Sequence, residues 1–340
     1  MLIVESSARA AELLEEAERL LDARFVEQAW AFFLEAERAG ADPDRCSAGK
    51  WQVAMLRGEF AAAWTECDAI YSRGTQGADG LWSGEPIDGK RVMVRCLHGF
   101  GDAVQMVRYA PLLAGRAAHV TWEVAPRLLP LMRCFPGVNN AITWTDADPE
   151  WDMQVEVMEL PYLFRTVVSD LPMAERYLTV PDEQFELVRK QLGARSRPRV
   201  GLVWTCGDWN PSRNVPVDAL QVLTDMDVEL WNLESKVSPD ECALLNAGDG
   251  RELTDGLVPL AATIANLDAV ITPDTLAAHL AGALGKPAFV ALQFAADWRW
   301  MLERNDTPWY RSVRLYRQPA PGDWESVVRA IKAELKGLLS

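Results

Sequence analysis

The sequence has too few basic side chains for a protein that binds nucleic acid through its phosphates. Its 340 residues include 34 Lys and Arg against 49 Asp and Glu, which gives a formal net charge of −15. Because phosphate backbones are bound by surfaces rich in Lys and Arg, nucleic acid is not an expected partner. A small anionic ligand remains compatible with this charge, since it needs only one local cationic pocket.

Closely spaced cysteine pairs and long apolar runs are also missing. The six cysteines are scattered without any Cys-x-x-Cys spacing, which predicts reduced thiols rather than a disulfide framework or a zinc site. No apolar run reaches the roughly 20 residues of a membrane-spanning helix, and the N-terminus lacks the pattern of a signal peptide. The expected location is therefore the cytoplasm, including a peripheral position at the inner face of the membrane.

The sequence offers no Asp-x-Asp motif at the end of a predicted strand, where carboxylates would hold a divalent metal. Asp146 and Asp148 have this spacing, but they precede Pro149 in a predicted surface loop. We therefore expect no metal and no other cofactor.

A strand–turn–helix segment near the C-terminus carries the most chemical information. The apolar run Asp268–Ile271 predicts a buried parallel strand, and the turn after it, with Pro273, Asp274 and Thr275, predicts a helix cap. His279 follows one turn into the helix, and its side chain leans back toward the helix start. A helix start suits a phosphate. A plain capped helix with a core histidine is the alternative.

A second informative turn follows the predicted strand Val92–Arg95. It contains Gly99 and Gly101, which permit close backbone approach, and Asp102 opens the next helix. The dinucleotide fingerprint is excluded, because its third glycine is missing. Ligands of open α/β sheets bind at the carboxyl ends of strands, so Asp102 is a candidate functional acid. A simple helix cap is the alternative.

The first 75 residues differ from the rest, being rich in Ala, Leu and Glu at helical spacing. Ala29-Trp30 recurs as Ala63-Trp64, 34 residues further along. This is the tetratricopeptide period, so we predict about two degenerate repeats, with an ordinary helical cap as the alternative. Such helices are also the place where a protein partner is expected to bind.

Taken together, these segments resemble the ADP-heptose:lipopolysaccharide heptosyltransferases, and the bacterial proteins that join tetratricopeptide helices to such a domain. The resemblance covers roughly residues 80–325. The residues that carry it are Leu81–Glu85, Gly101, Asp102, Asp274, Thr275, His279, Asp297–Trp300 and Asp306–Tyr310. It implies an α/β protein of the GT-B fold, in which two Rossmann-like, doubly wound domains face each other across a cleft. It also implies a metal-independent enzyme that uses a nucleotide-activated sugar.

Three parts are expected along the chain. An all-α tetratricopeptide-like segment spans 1–75, an N-terminal Rossmann-like acceptor domain spans 76–195, and a C-terminal Rossmann-like nucleotide-sugar domain spans 196–340, with its last helix crossing back. The sequence further predicts one continuous helix over 102–113 and a loop over 158–164.

The resemblance implies an inverting glycosyltransferase of hexosyl or heptosyl type, with Asp102 as the catalytic base. An Arg in the loop after the first strand of the second sheet suits a pyrophosphate, although loop arginines are often only solvated. The expected donor-binding residues are Trp204, Gly207, Arg213, Glu234, Pro273, Asp274, Thr275 and His279. The expected acceptor or cleft residues are His98, Gly99, Gly101, Gln105, Glu159, Gln293 and Asp297.

The partners implied are a nucleotide-sugar donor and a surface-glycan or protein acceptor, while the donor nucleotide and the sugar stay open. Two other functions fit the same sequence. One is a sugar-nucleotide 2-epimerase on the same fold. The other is a non-catalytic binding or scaffold protein on a transferase fold.

Overall fold

The computed structural model of the protein describes residues 2–74, 80–173, 175–207, 210–234 and 238–339. The chain forms two compact units. One comprises residues 1–79 with 161–171 and 295–304, and the other comprises residues 80–160, 172–294 and 305–340. The predicted boundary between residues 75 and 76 lies outside the described residues.

The helical unit begins with four helices joined by short connections. They are α1 (Leu2–Asp22), α2 (Val26–Arg38), α3 (Pro43–Arg57) and α4 (Phe60–Arg73). α1 packs on α2 and α3 packs on α4, with apolar side chains such as Leu14 and Phe33 in a shared core. Gly49 allows α3 to approach α2 closely, because a Cβ there would lie 2.1 Å from Cζ of Phe33.

Two later segments of the chain complete this unit. The indole N–H of Trp64 in α4 donates to the carbonyl of Thr166 at 2.7 Å. The ring of Trp298 packs edge-on against Trp51 of α3, with the ring centroids 5.6 Å apart. The N-terminal helices therefore pack against residues that lie far away in sequence.

The second unit contains two parallel sheets, and the first has the strand order β3-β2-β1-β4. Its strands are β1 (Arg91–Arg95), β2 (His119–Val124), β3 (Ala141–Thr143) and β4 (Met153–Glu156). The helices along this part of the chain are α5 (Phe100–Met106), α6 (Ala110–Ala114), α7 (Leu129–Met132) and α8 (Leu160–Leu163). All pairings are parallel, so the carboxyl ends of the strands share one edge, where ligands of such sheets bind.

Two local expectations in this region were wrong. The single helix over 102–113 is broken by a 3-10 turn at Val107–Tyr109, because Pro111 cannot donate an α-helical hydrogen bond and restricts the residue before it. The loop over 158–164 contains a 3-10 turn at Val157–Glu159 followed by α8. Pro161 is the second residue of α8, a position that fits because the first turn of a helix tolerates proline.

The second sheet has the order β6-β5-β7-β8-β9, and all of its strands are parallel. The strands are β5 (Arg199–Leu202), β6 (Glu229–Asn232), β7 (Ala269–Pro273), β8 (Ala288–Leu292) and β9 (Val313–Arg317). The helices are α9 (Asp182–Leu192), α10 (Val217–Leu220), α11 (Pro239–Leu244), α12 (Leu257–Asn266), α13 (Leu276–Ala283) and α14 (Trp324–Leu339). Among the described residues, no helix is long and apolar enough to cross a membrane.

The last helix packs on the second sheet. Val328, Ile331 and Leu335 of α14 are buried in one core with Val200 of β5 and Leu220 of α10. This spacing of three and four residues forms one apolar helix face. That face therefore serves the second sheet, and the bracing of the first α/β domain by α14 stays a prediction.

Candidate active site

The Gly-Asp turn after β1 positions Asp102. Residue Gly99 precedes α5, and the backbone N–H of Gly99 donates to Oδ2 of Asp102 at 3.0 Å. Asp102 therefore does cap its helix, as the alternative interpretation requires. The side chain is only partly buried, so capping does not remove the carboxylate from the carboxyl edge of the sheet.

The turn after β7 positions the predicted phosphate ligands at the start of α13. The helix cap is Thr275 rather than Asp274, since Oγ1 of Thr275 accepts from the backbone N–H of Ala277 at 3.3 Å. The hydroxyls of Thr272 and Thr275 lie 2.8 Å apart. The Thr275 side chain therefore caps α13, and the Asp274 carboxylate lies in the same turn, on the residue just before the cap.

Arg213 lies against this turn, as the donor-binding prediction requires. It ends a 3-10 turn at Pro211–Arg213, and its Nη1 donates to the carbonyl of Asp274 at 2.8 Å. The same Nη1 lies 3.7 Å from Oδ2 of Asp274. Fixed guanidinium donors beside a helix start are a suitable place for phosphate oxygens.

His279 connects the two turns. Its side chain is only 3% exposed, with Nδ1 2.8 Å from the hydroxyl of Tyr310 and Nε2 4.0 Å from Oδ1 of Asp274. A Cβ on Gly101 would lie 2.7 Å from Cδ2 of His279, so only glycine fits here without a shift. The Gly101-Asp102 turn of the first sheet and the His279 helix of the second sheet therefore pack directly together.

The loop after β5 is braced by Glu234 at the end of β6. The Glu234 carboxylate accepts hydrogen bonds from the backbone N–H groups of Trp204 and Thr205 and from the Thr205 hydroxyl. Burial raises the pKa of Glu234, and the hydrogen bonds from Thr205 and Trp204 oppose that shift. The Trp204 side chain is buried in the core of the second sheet, so only its backbone faces the loop.

Two other predicted residues lie around this loop. A Cβ on Gly207 would meet none of the described residues within 4 Å, which leaves space among them next to this backbone. The Ser212 hydroxyl donates to the side-chain oxygen of Gln293, which follows β8. Gln293 was expected in the acceptor or cleft group, and its contact is with the Arg213 segment.

The predicted acceptor residues are spread over several environments. His98 is exposed after β1, and its Nε2 lies 3.7 Å from Oε1 of Glu156 at the end of β4. Burial raises the pKa of Glu156. Glu159 is partly buried, whereas Gln105 is fully buried in α5.

Asp297 belongs to the helical unit. Its carboxylate accepts from the backbone N–H and from Nε of Arg299, at 3.0 and 2.9 Å. Its predicted role in the cleft has no geometric support from these contacts and stays a prediction.

Three residues near the two turns were missed by the sequence analysis, namely Arg108, Glu156 and Tyr310. Arg108 is 1% exposed and Tyr310 is fully buried. Buried positions of this kind depend on packing between distant segments, which no local pattern reveals. The only sequence feature that could have pointed to any of the three was the Trp-Tyr pair inside the Asp306–Tyr310 motif, which contains Tyr310.

The described residues contain no group of three or more His, Cys, Asp or Glu side chains that could hold a metal ion. What the geometry does provide is a helix start with Thr275, the guanidinium of Arg213 and the imidazole of His279. The candidate base, Asp102, directly follows Gly101, which packs on His279. An anion-binding corner beside a candidate base suits the transfer of a group away from a phosphate.

Solved glycosyltransferases share this fold. A family 9 glycosyl transferase from Veillonella parvula is 11% identical, with a TM-score of 0.58 over 77% of this chain and 99% of that one. The E. coli ADP-heptose LPS heptosyltransferase II is 15% identical, with a TM-score of 0.55 over 73% and 98% of the two chains. The predicted GT-B fold is confirmed by these likenesses.

The chain is also similar to the protein FlbA of Caulobacter vibrioides, at 26% identity over 286 residues. The match covers 75% of this chain and 48% of FlbA, so the chain spans about half the length of that curated relative. No family model matches the chain.

Proposed function

We propose that the protein is a metal-independent, inverting glycosyltransferase that moves a hexosyl- or heptosyl-type sugar from a nucleotide diphosphate to an acceptor hydroxyl. The observation that carries this proposal is the direct packing of the Gly101 turn on His279. It supports the proposal because the candidate base, Asp102, directly follows Gly101, and His279 belongs to the helix whose start suits a diphosphate. The same fold occurs in glycosyltransferases of known structure.

In the proposed reaction, Asp102 accepts the proton of the acceptor hydroxyl as that oxygen attacks the anomeric carbon. A new carbon–oxygen bond forms on one face of the sugar. The bond to the diphosphate breaks on the opposite face, and its electron pair leaves with the diphosphate. The configuration at the anomeric carbon is therefore inverted.

The leaving diphosphate gains negative charge as the bond breaks, and fixed donors can stabilise that charge without a metal. Arg213 supplies a guanidinium held in place by the carbonyl of Asp274. The start of α13 supplies backbone N–H groups and the positive end of a helix dipole. His279 supplies an imidazole N–H toward the same place.

The donor nucleotide is proposed to lie along the loop after β5. The Glu234 carboxylate fixes the backbone of this loop, and space next to Gly207 admits the ligand. The ribose or base is then proposed to meet Glu234, which follows β6. The acceptor, a surface glycan or a protein, is proposed to approach over His98 and Glu159.

We propose that the four N-terminal helices are two degenerate tetratricopeptide-like repeats that select or hold a protein partner. Phe25 is more than half exposed, whereas Phe60, which lies 35 residues further along the chain, is buried. An exposed aromatic side chain at a repeat position is a suitable contact for a partner.

The full chain in EDTA should be incubated with ADP-, UDP-, GDP- and CMP-activated sugars, with and without a cell extract as the acceptor source. Release of the nucleotide that depends on the extract supports the transferase. Release without extract, accompanied by an altered sugar, would identify a 2-epimerase. Neither release nor a nucleotide-induced melting shift would identify a binding protein.

A further inference from the structure

Tyr310 contacts the imidazole of His279 directly. Its hydroxyl lies 2.8 Å from Nδ1 of His279. The two rings meet edge to face, with centroids 5.8 Å apart. Tyr310 is fully buried in the segment that precedes β9, so water does not compete for this hydrogen bond.

A buried arginine, Arg108 in the 3-10 turn after α5, packs against one side of the Tyr310 ring. The guanidinium of Arg108 lies 4.8 Å from the centroid of the ring, within the range of a cation–π contact. Arg108 itself is fixed by hydrogen bonds to the carbonyls of Gln105 and Trp309 and to the hydroxyl of Tyr177, at 2.7, 2.9 and 3.0 Å.

The ring also packs on the helix that carries His279. A Cβ on Gly282 of α13 would lie 2.3 Å from Cδ1 of Tyr310, so the ring lies against bare helix backbone. With Arg108 on one side and α13 on another, the ring has little freedom to turn. The direction of its hydroxyl toward His279 is therefore set by packing.

The hydrogen bond at one ring nitrogen decides which nitrogen of a neutral histidine carries the proton. Nε2 of His279 is the nitrogen on the side of Asp274 and Gly101. For Nε2 to donate to a phosphate oxygen there, it must carry the proton. Nδ1 must then accept a hydrogen bond, and the Tyr310 hydroxyl is placed to donate it.

We propose that Tyr310 is a positioning residue that keeps the proton of His279 on Nε2 and aims it at the turn before α13. The phosphate part of this inference rests on the proposed function. It also gives a role to the Asp306–Tyr310 motif.

The protein has only three histidines, so the ring nitrogens can be followed individually by ¹⁵N NMR of histidine-labelled full chain. The His279→Gln variant assigns the His279 signals. In the wild type we expect a protonated Nε2 and an unprotonated Nδ1 that accepts a hydrogen bond. In Tyr310→Phe, which keeps the ring, the Nδ1 signal should move to that of a nitrogen without this bond.

The second readout is the affinity for ADP, UDP and GDP, measured from the melting shift that each causes. Tyr310→Phe should weaken binding of the stabilising nucleotide by roughly tenfold, the size of one ordinary hydrogen bond. Tyr316→Phe is the matched control. Tyr316 of β9 also loses a hydroxyl, one that donates to Glu334 of α14, but this bond has no part in holding Tyr310, so the variant should leave the His279 signals unchanged.

Two results would overturn the proposal. One is a wild-type His279 with its proton on Nδ1, which needs no variant to detect. The other is an unchanged Nδ1 signal in Tyr310→Phe. If the signals behave as expected but none of the three nucleotides stabilises the wild type, the positioning role stands and the proposed function fails instead.

Discussion

At the scale of single residues, Asp102 has two roles to distinguish, since it caps α5 and is also the proposed base. Asparagine keeps a side-chain oxygen that can accept the hydrogen bond from the Gly99 N–H, but it cannot take a proton. The Asp102→Asn variant therefore separates the two roles without removing the cap.

We expect Asp102→Asn to lower the rate of transfer by about 100- to 10,000-fold, the usual contribution of a general base. Binding of the donor nucleotide should change little, because the cap and the second sheet stay intact. The measurement is turnover at saturating donor, with the nucleotide-induced melting shift as the control. An Asn variant that keeps more than about a third of the wild-type rate would reduce Asp102 to a cap.

The donor site makes its own prediction at the same scale. A nucleoside diphosphate at about 100 times its dissociation constant should stabilise the protein by roughly 2.7 kcal/mol, and EDTA should leave this effect intact. Asp274→Ala and His279→Ala should each reduce the melting shift, since one leaves Arg213 without its carboxylate partner and the other removes the imidazole. A shift seen only with Mg²⁺ or Mn²⁺ would contradict the metal-free proposal.

At the scale of elements, α5 can contact α13 closely because residue 101 is a glycine and has no side chain. Alanine at position 101 favours a helix by up to about 1 kcal/mol over glycine, but crowding His279 costs about 1–3 kcal/mol. Gly101→Ala should therefore displace His279 and weaken both transfer and the nucleotide-induced melting shift. Wild-type values for both would show that the two turns do not work as one site.

The helical unit allows a sharper test of the same kind, because the chain offers two helix glycines with opposite surroundings. Gly49→Ala places a Cβ against Phe33, whereas a Cβ on Gly337 of α14 meets none of the described residues within 4 Å. We expect Gly49→Ala to destabilise by about 1–3 kcal/mol and Gly337→Ala to stabilise by roughly 0.5–1 kcal/mol. Denaturant unfolding of the full chain measures both, and a shared sign would contradict the packing described for α3.

The sequence was sufficient for features that depend on neighbouring residues. The turns at Gly99–Asp102 and Pro273–Thr275 were found because turn chemistry and helix starts are local. The sequence left the identity of the cap open within its turn: Thr275 rather than Asp274 caps α13, although both residue types are good caps. The break after α5 was missed, although Pro111 lies within the predicted helix.

Features that depend on distant segments could not be predicted. Nothing near Gly101 indicates that its neighbour is His279, and nothing near Tyr310 indicates a bond to the same imidazole. From the sequence alone, Arg108 would be expected on the solvent-exposed face of a helix, yet it is buried. Its burial becomes intelligible only when the carbonyl of Trp309 and the hydroxyl of Tyr177 are found around its guanidinium.

At the scale of the whole molecule, the helical unit is completed by residues from later parts of the chain. Removing residues 1–75 should expose the surfaces of Trp298 and Thr166 that now face Trp51 and Trp64. We expect the remaining fragment to aggregate or melt at a lower temperature, as newly exposed apolar patches favour association. Gel filtration and thermal melting of fragment 76–340 measure this.

A soluble fragment with wild-type stability and activity would show the opposite. The helices would then be an independent module, and their simplest role would be to select the acceptor.

The helical unit is assembled from segments that lie far apart in the chain, and this affects the order in which its parts become available during synthesis. Its four helices leave the ribosome well before the later segments that complete the unit, the last of which ends at residue 304. At about 5–20 residues per second, the stretch from residue 79 to residue 304 takes roughly 10–45 s to translate. During that interval the growing chain carries incompletely covered aromatic side chains, so nascent-chain chaperones have a longer opportunity to bind it than they have for a domain that is contiguous in sequence.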